Sequence, residues 1–172
     1  MDISLPTINE KRAFGYATLR SLAEGEYEKI DKQQVNVVKF DDFEGQIDFA
    51  RIEFIKIDVE GFEMEVLRGM TRLVETRKPA LMIEIEKRHN SRYLEVFGYL
   101  TDLLYEPYMT VDGISLQRLD VDKLSSLQST EMLTRDWNGD RTFRRGEHKN
   151  YINNFFFLQS RHKPQFGIAN GA

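Results

Sequence analysis

Apolar residues recur along this chain with two different periods, and the change from one to the other marks the elements. Phe54-Ile55-Lys56-Ile57-Asp58-Val59 is a short, nearly continuous apolar run rich in β-branched residues. That pattern predicts a strand buried on both faces. After Gly61 the period lengthens: Phe62, Val66, Leu67, Met70, Leu73 and Val74 recur at helical spacing and form one stripe. Glu63 and Glu65 near the start of that helix, and Arg72, Arg77 and Lys78 near its end, suit its dipole. Pro79 then ends it. Residues 80–86 follow at once as a second strand. Residues 91–104 predict a second helix, with Tyr93, Leu94, Phe97, Leu100, Leu103 and Leu104 facing the core and Gly98 weakening it.

The flanks are less regular. Ile3 and Leu5 start a short strand that Pro6 cuts off, residues 13–19 are an aromatic and small-residue patch without a period, and Glu24-Gly25-Glu26 reads as a turn. Residues 35–40 predict a strand ended by Asp41-Asp42. Downstream, residues 108–111 and 114–116 flank Asp112-Gly113 as a hairpin with a two-residue turn. Residues 120–150 are polar and irregular. Asn154-Phe155-Phe156-Phe157-Leu158 is a last buried strand. Strand–helix–strand–helix is the pattern of an α/β sheet with parallel crossovers, here mostly parallel and closed by an antiparallel hairpin. The expected division is one domain over residues 1–160 and a flexible tail over 161–172.

Composition narrows the function classes. The 172 residues suffice for one domain with a core, and a net charge of −4 gives no reason to expect a nucleic-acid partner. There is no cysteine, so disulfides and thiol catalysis are excluded, and a reducing compartment such as the cytoplasm is the expected location. No apolar run approaches the roughly 18 residues of a membrane span, and the first residues lack the pattern of a secretory signal. No membrane partner is expected.

Candidate chemistry gathers at strand ends. Asp58 and Glu60 fall at the C-terminal end of a strand, the rim where open α/β sheets bind ligands. The competing reading is that both cap the following helix. Gly61 permits a tight strand-to-helix turn. If the strands over residues 54–59 and 80–86 are parallel, the turn bearing Glu84, Glu86 and His89 shares the same rim. His89 titrates near neutrality and can take a proton; against this stands a solvated loop histidine before a helix capped by Asn90 or Ser91. Glu84 lies inside an apolar strand and must be paired or titrate high, with Lys56 as a candidate partner. The four carboxylates suit a divalent cation, but no spacing matches a metal loop, so no metal site is assigned. A basic run, Arg135, Arg141, Arg144, Arg145, His148 and Lys149 with Trp137 nearby, reads as a solvated loop or as a lid over an anionic substrate.

Ile55-Lys56-Ile57-Asp58-Val59-Glu60-Gly61, Glu65-Val66-Leu67-Arg68-Gly69, Pro79 and Ile83-Glu84-Ile85-Glu86 together resemble the FkbM family of methyltransferases. Phe14–Leu19, Phe40–Phe43 and Asn154–Leu158 fit the same pattern, so the resemblance covers roughly residues 5–158. It implies a Rossmann-like sheet, S-adenosylmethionine as cofactor, and O-methylation of a hydroxyl on a sugar or other small metabolite. Carried onto this chain, it favours Asp58 and Glu60 as catalytic residues and Asp58 and Gly61 as cofactor contacts, and the shared rim adds His89 as a third catalytic candidate. The chain departs from the family in having no Gly-x-Gly among its 11 glycines, where the resemblance leads one to expect a glycine-rich cofactor turn on a first strand. The expectation is therefore the C-terminal portion of such an enzyme, lacking the first strands. The alternatives are a non-catalytic remnant or interaction module, and a carboxylate–metal hydrolase. An apolar strand without its neighbour also predicts self-association through the open edge.

Overall fold

The computed structural model describes residues 1–12, 19, 25, 27–110, 115–129, 133–135, 141–143 and 151–168. Its centre is a five-stranded sheet in the order β4-β5-β10-β6-β7. The strands are β4 (Phe54–Ile57), β5 (Ala80–Glu84), β6 (Glu106–Thr110), β7 (Leu116–Arg118) and β10 (Asn154–Leu158). β4 and β5 are parallel, as expected, but every other neighbouring pair is antiparallel. The sheet is thus mixed rather than mostly parallel. The cause is β10, which inserts between β5 and β6 and runs against both.

Alternate residues of these strands separate into two faces. Ile55, Ile57, Leu81, Ile83, Phe155, Phe157 and Met109 point to one side and share a core with the helices. Those are α1 (Glu63–Gly69), α2 (Thr71–Thr76) and α3 (Tyr93–Asp102). Phe97 of α3 anchors the contact, 5.3 Å from Phe155 and 5.2 Å from Phe157 between ring centroids. On the other side Ala80, Tyr108, Leu158 and Phe156 meet Phe166 and Ile168. Those last two belong to a segment expected as a loose tail. It forms the 3₁₀ helix Ser160–Phe166, with His162 and Lys163 buried and the Lys163 ammonium 2.6 Å from Glu106.

Several local expectations change. The single helix after Gly61 is two, because Met70 leaves helical geometry at φ −128°, ψ 29° directly after Gly69. α2 then needs its own cap, and Asp41 supplies it from the 3₁₀ turn Phe40–Phe43: the Arg72 and Leu73 amides donate to its carboxylate at 2.8 and 3.2 Å. In α3, Val96 is buried while Leu94 and Leu104 are exposed, since the helix starts and stops two residues inside its expected bounds. Residues 120–150 are not wholly irregular. They hold the 3₁₀ turn Val121–Lys123, α4 (Leu124–Leu127) and an antiparallel pair, β8 (Leu133–Arg135) with β9 (Arg141–Phe143). Arg144, Arg145, His148, Lys149 and Trp137 lie outside the described residues, as do the side chains of Arg135 and Arg141. The hairpin β6–β7 forms, but Thr110 pairs with Leu116, one residue off the register of a two-residue turn. The turn itself, residues 111–114, lies outside the described residues.

Near the N-terminus, β1 (Asp2–Ile8) lies between β2 (Lys11–Arg12) and β3 (Lys29–Gln34). The strand expected over 35–40 is displaced onto the more polar β3, and Val37 and Val38 are exposed. Pro6 does not end β1. Met1 and Val35 exchange both backbone hydrogen bonds, so in this antiparallel register Pro6 and Ile30 form a non-hydrogen-bonded pair. The amide hydrogen that proline lacks is not needed there. The patch at residues 13–18 lies outside the described residues; Gly25 has φ +84°, as a turn requires.

Removing the α2 cap with Asp41→Ala is expected to lower stability by about 1 kcal/mol. Urea unfolding of parent and variant measures it, and an unchanged midpoint would refute the capping role.

Candidate functional site

β4 delivers its C-terminal end to a turn of left-handed backbone: Glu60 has φ +47° and Gly61 φ +96°. A Cβ on Gly61 would also lie 2.6 Å from the carbonyl oxygen of His89. Glycine is thus required there both by conformation and by the approach of the β5–α3 turn. The two turns converge, as the parallel pairing of β4 and β5 predicts.

A carboxylate that sequence patterning leaves on a helix surface ties them. Glu63 is 1% exposed. Its Oε1 accepts from the Gly61 amide at 2.8 Å and its Oε2 from Asn90 Nδ2 at 2.7 Å. Asn90 Oδ1 in turn accepts from the Arg92 amide at 2.9 Å, at the start of α3. The N-cap of α1, Phe62, has no side-chain cap; Glu63, the first residue of the helix, folds back onto the Gly61 amide of the preceding turn.

Asp58 is half exposed and held by Lys56, whose Nζ donates to Oδ2 at 2.8 Å. Lys56 is therefore the partner of Asp58, and it reaches Glu84 only through space. Glu60 faces the imidazole of His89 across the two turns, carboxylate against Nδ1. That nitrogen is buried and forms no hydrogen bond of good geometry, so the contact is one of charge proximity, ionic when the ring is protonated. His89 is not the solvated loop residue that was the alternative.

Glu84 and Glu86 follow on the same rim. Glu86 is buried and well satisfied: Arg88 Nε donates at 2.6 Å, Tyr151 Oη at 3.3 Å and Asn153 Nδ2 at 3.1 Å. Glu84 has Asn153 Nδ2 at 2.6 Å. Burial, then the charges of Asp58, Glu86 and Glu60, push its carboxyl up to about 7, with Lys56 opposing. Burial and the Glu86 charge likewise push the Tyr151 hydroxyl up to about 12. Gln128 closes the assembly from behind: Nε2 donates to the carbonyls of Ile85 (2.6 Å) and Ile152 (2.7 Å), and Oε1 accepts from the Lys87 amide (2.8 Å). Glu63, Gln128, Asn153 and Tyr151 escape a reading of the sequence because buried and half-buried polar residues carry no period. The one usable signal is Glu63 itself, a carboxylate two residues after a glycine turn.

The crevice between Glu60, Gly61, Glu63, Glu84, Glu86 and His89 holds about 160 Å³ of empty space, none of it wide enough for a water molecule. Among the described residues no cluster of His, Asp or Glu is arranged to hold a metal, so the carboxylate–metal reading finds no support. No helix among them is long and apolar enough to cross a membrane.

The structure is an α/β domain in which a parallel strand pair ends in a carboxylate-rich rim with a histidine, the end of the strands at which open α/β sheets bind ligands. The sequence profile of the methyltransferase FkbM domain matches residues 4–107, more than half of the chain. The protein belongs to the FkbM methyltransferase family. No curated protein and no solved structure matches it.

The raised Glu84 carboxyl has a consequence for stability. Between about pH 4.5, its ordinary value, and about 7, the folded chain holds this proton more tightly than the unfolded chain does. The contribution is full below that window and is lost as pH rises through it. Glu84→Gln keeps an acceptor for Asn153 and removes the titration. Thermal melts across the window are expected to show a smaller loss for the variant and a higher melting temperature than the parent at neutral pH. A pH dependence identical to the parent's would refute this.

Proposed function

We propose that this chain is an S-adenosylmethionine-dependent O-methyltransferase acting on a small hydroxyl acceptor, with its chemistry on the rim formed by the β4–α1 and β5–α3 turns. The observation that carries the reading is the Glu60–His89 pair at the end of β4, in a chain of a methyltransferase family.

The donor set fits the cofactor's charge. Asp58, Glu60, Glu63, Glu84 and Glu86 outnumber Lys56, Arg88 and His89, which suits a ligand bearing a sulfonium and an ammonium. When bound, S-adenosylmethionine supplies an electrophilic methyl group open to in-line attack. The chain's task is then positioning and proton removal. His89 would accept the acceptor's hydroxyl proton, and Glu60, set against its Nδ1, would orient the ring. Asp58, with the Lys56 ammonium hydrogen-bonded to it, binds the cationic cofactor. The Gly61 amide is already committed to Glu63, so this residue serves by leaving room at the turn.

Calorimetry with S-adenosylmethionine tests the reading on the whole chain. Saturable binding is expected, weakened at least tenfold (about 1.4 kcal/mol) by Asp58→Ala. The crevice is too narrow for a water molecule, and absence of any binding heat would overturn cofactor binding by this chain and leave the alternative, a non-catalytic remnant or interaction module.

A second copy of the chain is the proposed partner at β4. That strand is an edge of the sheet, its outer backbone groups bonded to no described strand, and Phe54 on it is 47% exposed. Analytical ultracentrifugation is expected to show association that grows with concentration and falls in Phe54→Glu. A monomer at every concentration would dismiss the edge as an interface.

A further inference from the structure

At the opposite end of β4 from Asp58, roughly 16 Å of strand away, lies a cavity of about 260 Å³ lined by Ile52, Glu53, Arg77, Arg161, His162 and Gln165. Two guanidinium groups border it. Arg161 Nη2 donates to the carbonyls of Arg77 and, at 2.8 Å, of Lys78. Arg77 Nη2 donates to the carbonyl of Ala50 at 3.1 Å. Neither has a carboxylate within ion-pair distance among the described residues. Glu53, the one acid on the wall, is exposed and pairs with neither. Backbone carbonyls thus hold both cations in place without neutralising them.

The ring of His162 adds a second, independent observation. It is 5% exposed, and both of its nitrogens face donors: the Gln159 amide lies 3.0 Å from Nδ1 and Arg161 Nε 3.1 Å from Nε2. A neutral imidazole has one acceptor nitrogen. Burial, then the Arg161 charge, lowers the His162 pKa, so the neutral ring is the relevant one. The Gln159 contact belongs to a reciprocal cap at the start of the 3₁₀ helix and is fixed by backbone, so Nδ1 is the acceptor and Nε2 carries the proton. Two N–H donors, Nε2–H of His162 and Nε–H of Arg161, therefore confront each other at the cavity wall with no acceptor between them. An unmet donor in such a place is costly, and an oxygen anion would satisfy both.

We infer that this cavity is an oxyanion site for a phosphate group, free or at the end of a phosphomonoester, held by Arg77, Arg161 and the protonated nitrogen of His162. The site stands apart from the rim and does not depend on the methyltransferase reading.

The test follows the ring resonances of His162 by NMR in the whole, unmutated chain. Inorganic phosphate and phenyl phosphate are titrated separately against sodium chloride at matched ionic strength. Saturable shifts with phosphate but not chloride are expected. Equal affinity for the two probes assigns free phosphate, and tighter binding of phenyl phosphate assigns the monoester. Arg77→Gln, which costs one exposed hydrogen bond, is expected to weaken binding about tenfold. Arg161→Gln should abolish it, with a thermal melt to verify folding. Shifts no different from those in chloride, or an affinity unchanged in Arg77→Gln, would overturn the assignment.

Discussion

The rim depends on one buried anion. Glu63 sits at the start of α1 with no ion-pair partner among the described residues, satisfied by an amide of its own turn and the side chain of Asn90 in the next. A carboxylate taken out of water so fully must keep each of its hydrogen bonds, because losing one leaves a desolvated charge. That requirement fixes the spacing between the β4–α1 and β5–α3 turns. It also explains why Gly61 is packed against the His89 carbonyl with no room for a methyl group. Glu60 and His89 face each other because Glu63 and Asn90 hold their neighbours.

Around this point the polar groups are arranged so that the acids differ in character. Glu86 is paid for by Arg88, Tyr151 and Asn153, whereas Glu84 has a single amide and three acidic neighbours. Asp58 stands at the exposed margin with its lysine. The five carboxylates thus comprise a structural clamp (Glu63), one held by an arginine (Glu86), one titrating near neutrality (Glu84), one held by a lysine (Asp58) and one set against a histidine (Glu60).

How much of this the sequence made legible follows from burial. β4, β5 and β10 stand out because strands in a core are apolar runs, and the bounds of β10 are those expected. The turn at Gly61 stands out because glycine marks left-handed backbone. β3 is hidden because Lys29-Ile30-Asp31-Lys32-Gln33-Gln34 pairs through its backbone and buries little, so the more apolar residues beside it draw the eye. The break at Met70 is hidden because an apolar stripe continues across it. Of the site, Asp58, Glu60, Gly61 and His89 were visible at a strand end. The residues that hold them were not, since a buried Glu, Gln or Asn is written in sequence with the same letters as an exposed one.

The position of β10 bears on how the molecule is made. Its five residues occupy the middle of the sheet, yet they emerge from the ribosome about 70 residues after β5, the strand they must join. At 5–20 residues per second the nascent chain waits roughly 4–15 s with β5 and β6 unable to close over one another. During that interval Leu81, Ile83 and the helices packed on them lack Phe155 and Phe157. Until β10 arrives, the apolar surface it will cover stays exposed, so the order of synthesis sets how long the unfinished sheet is open to other chains.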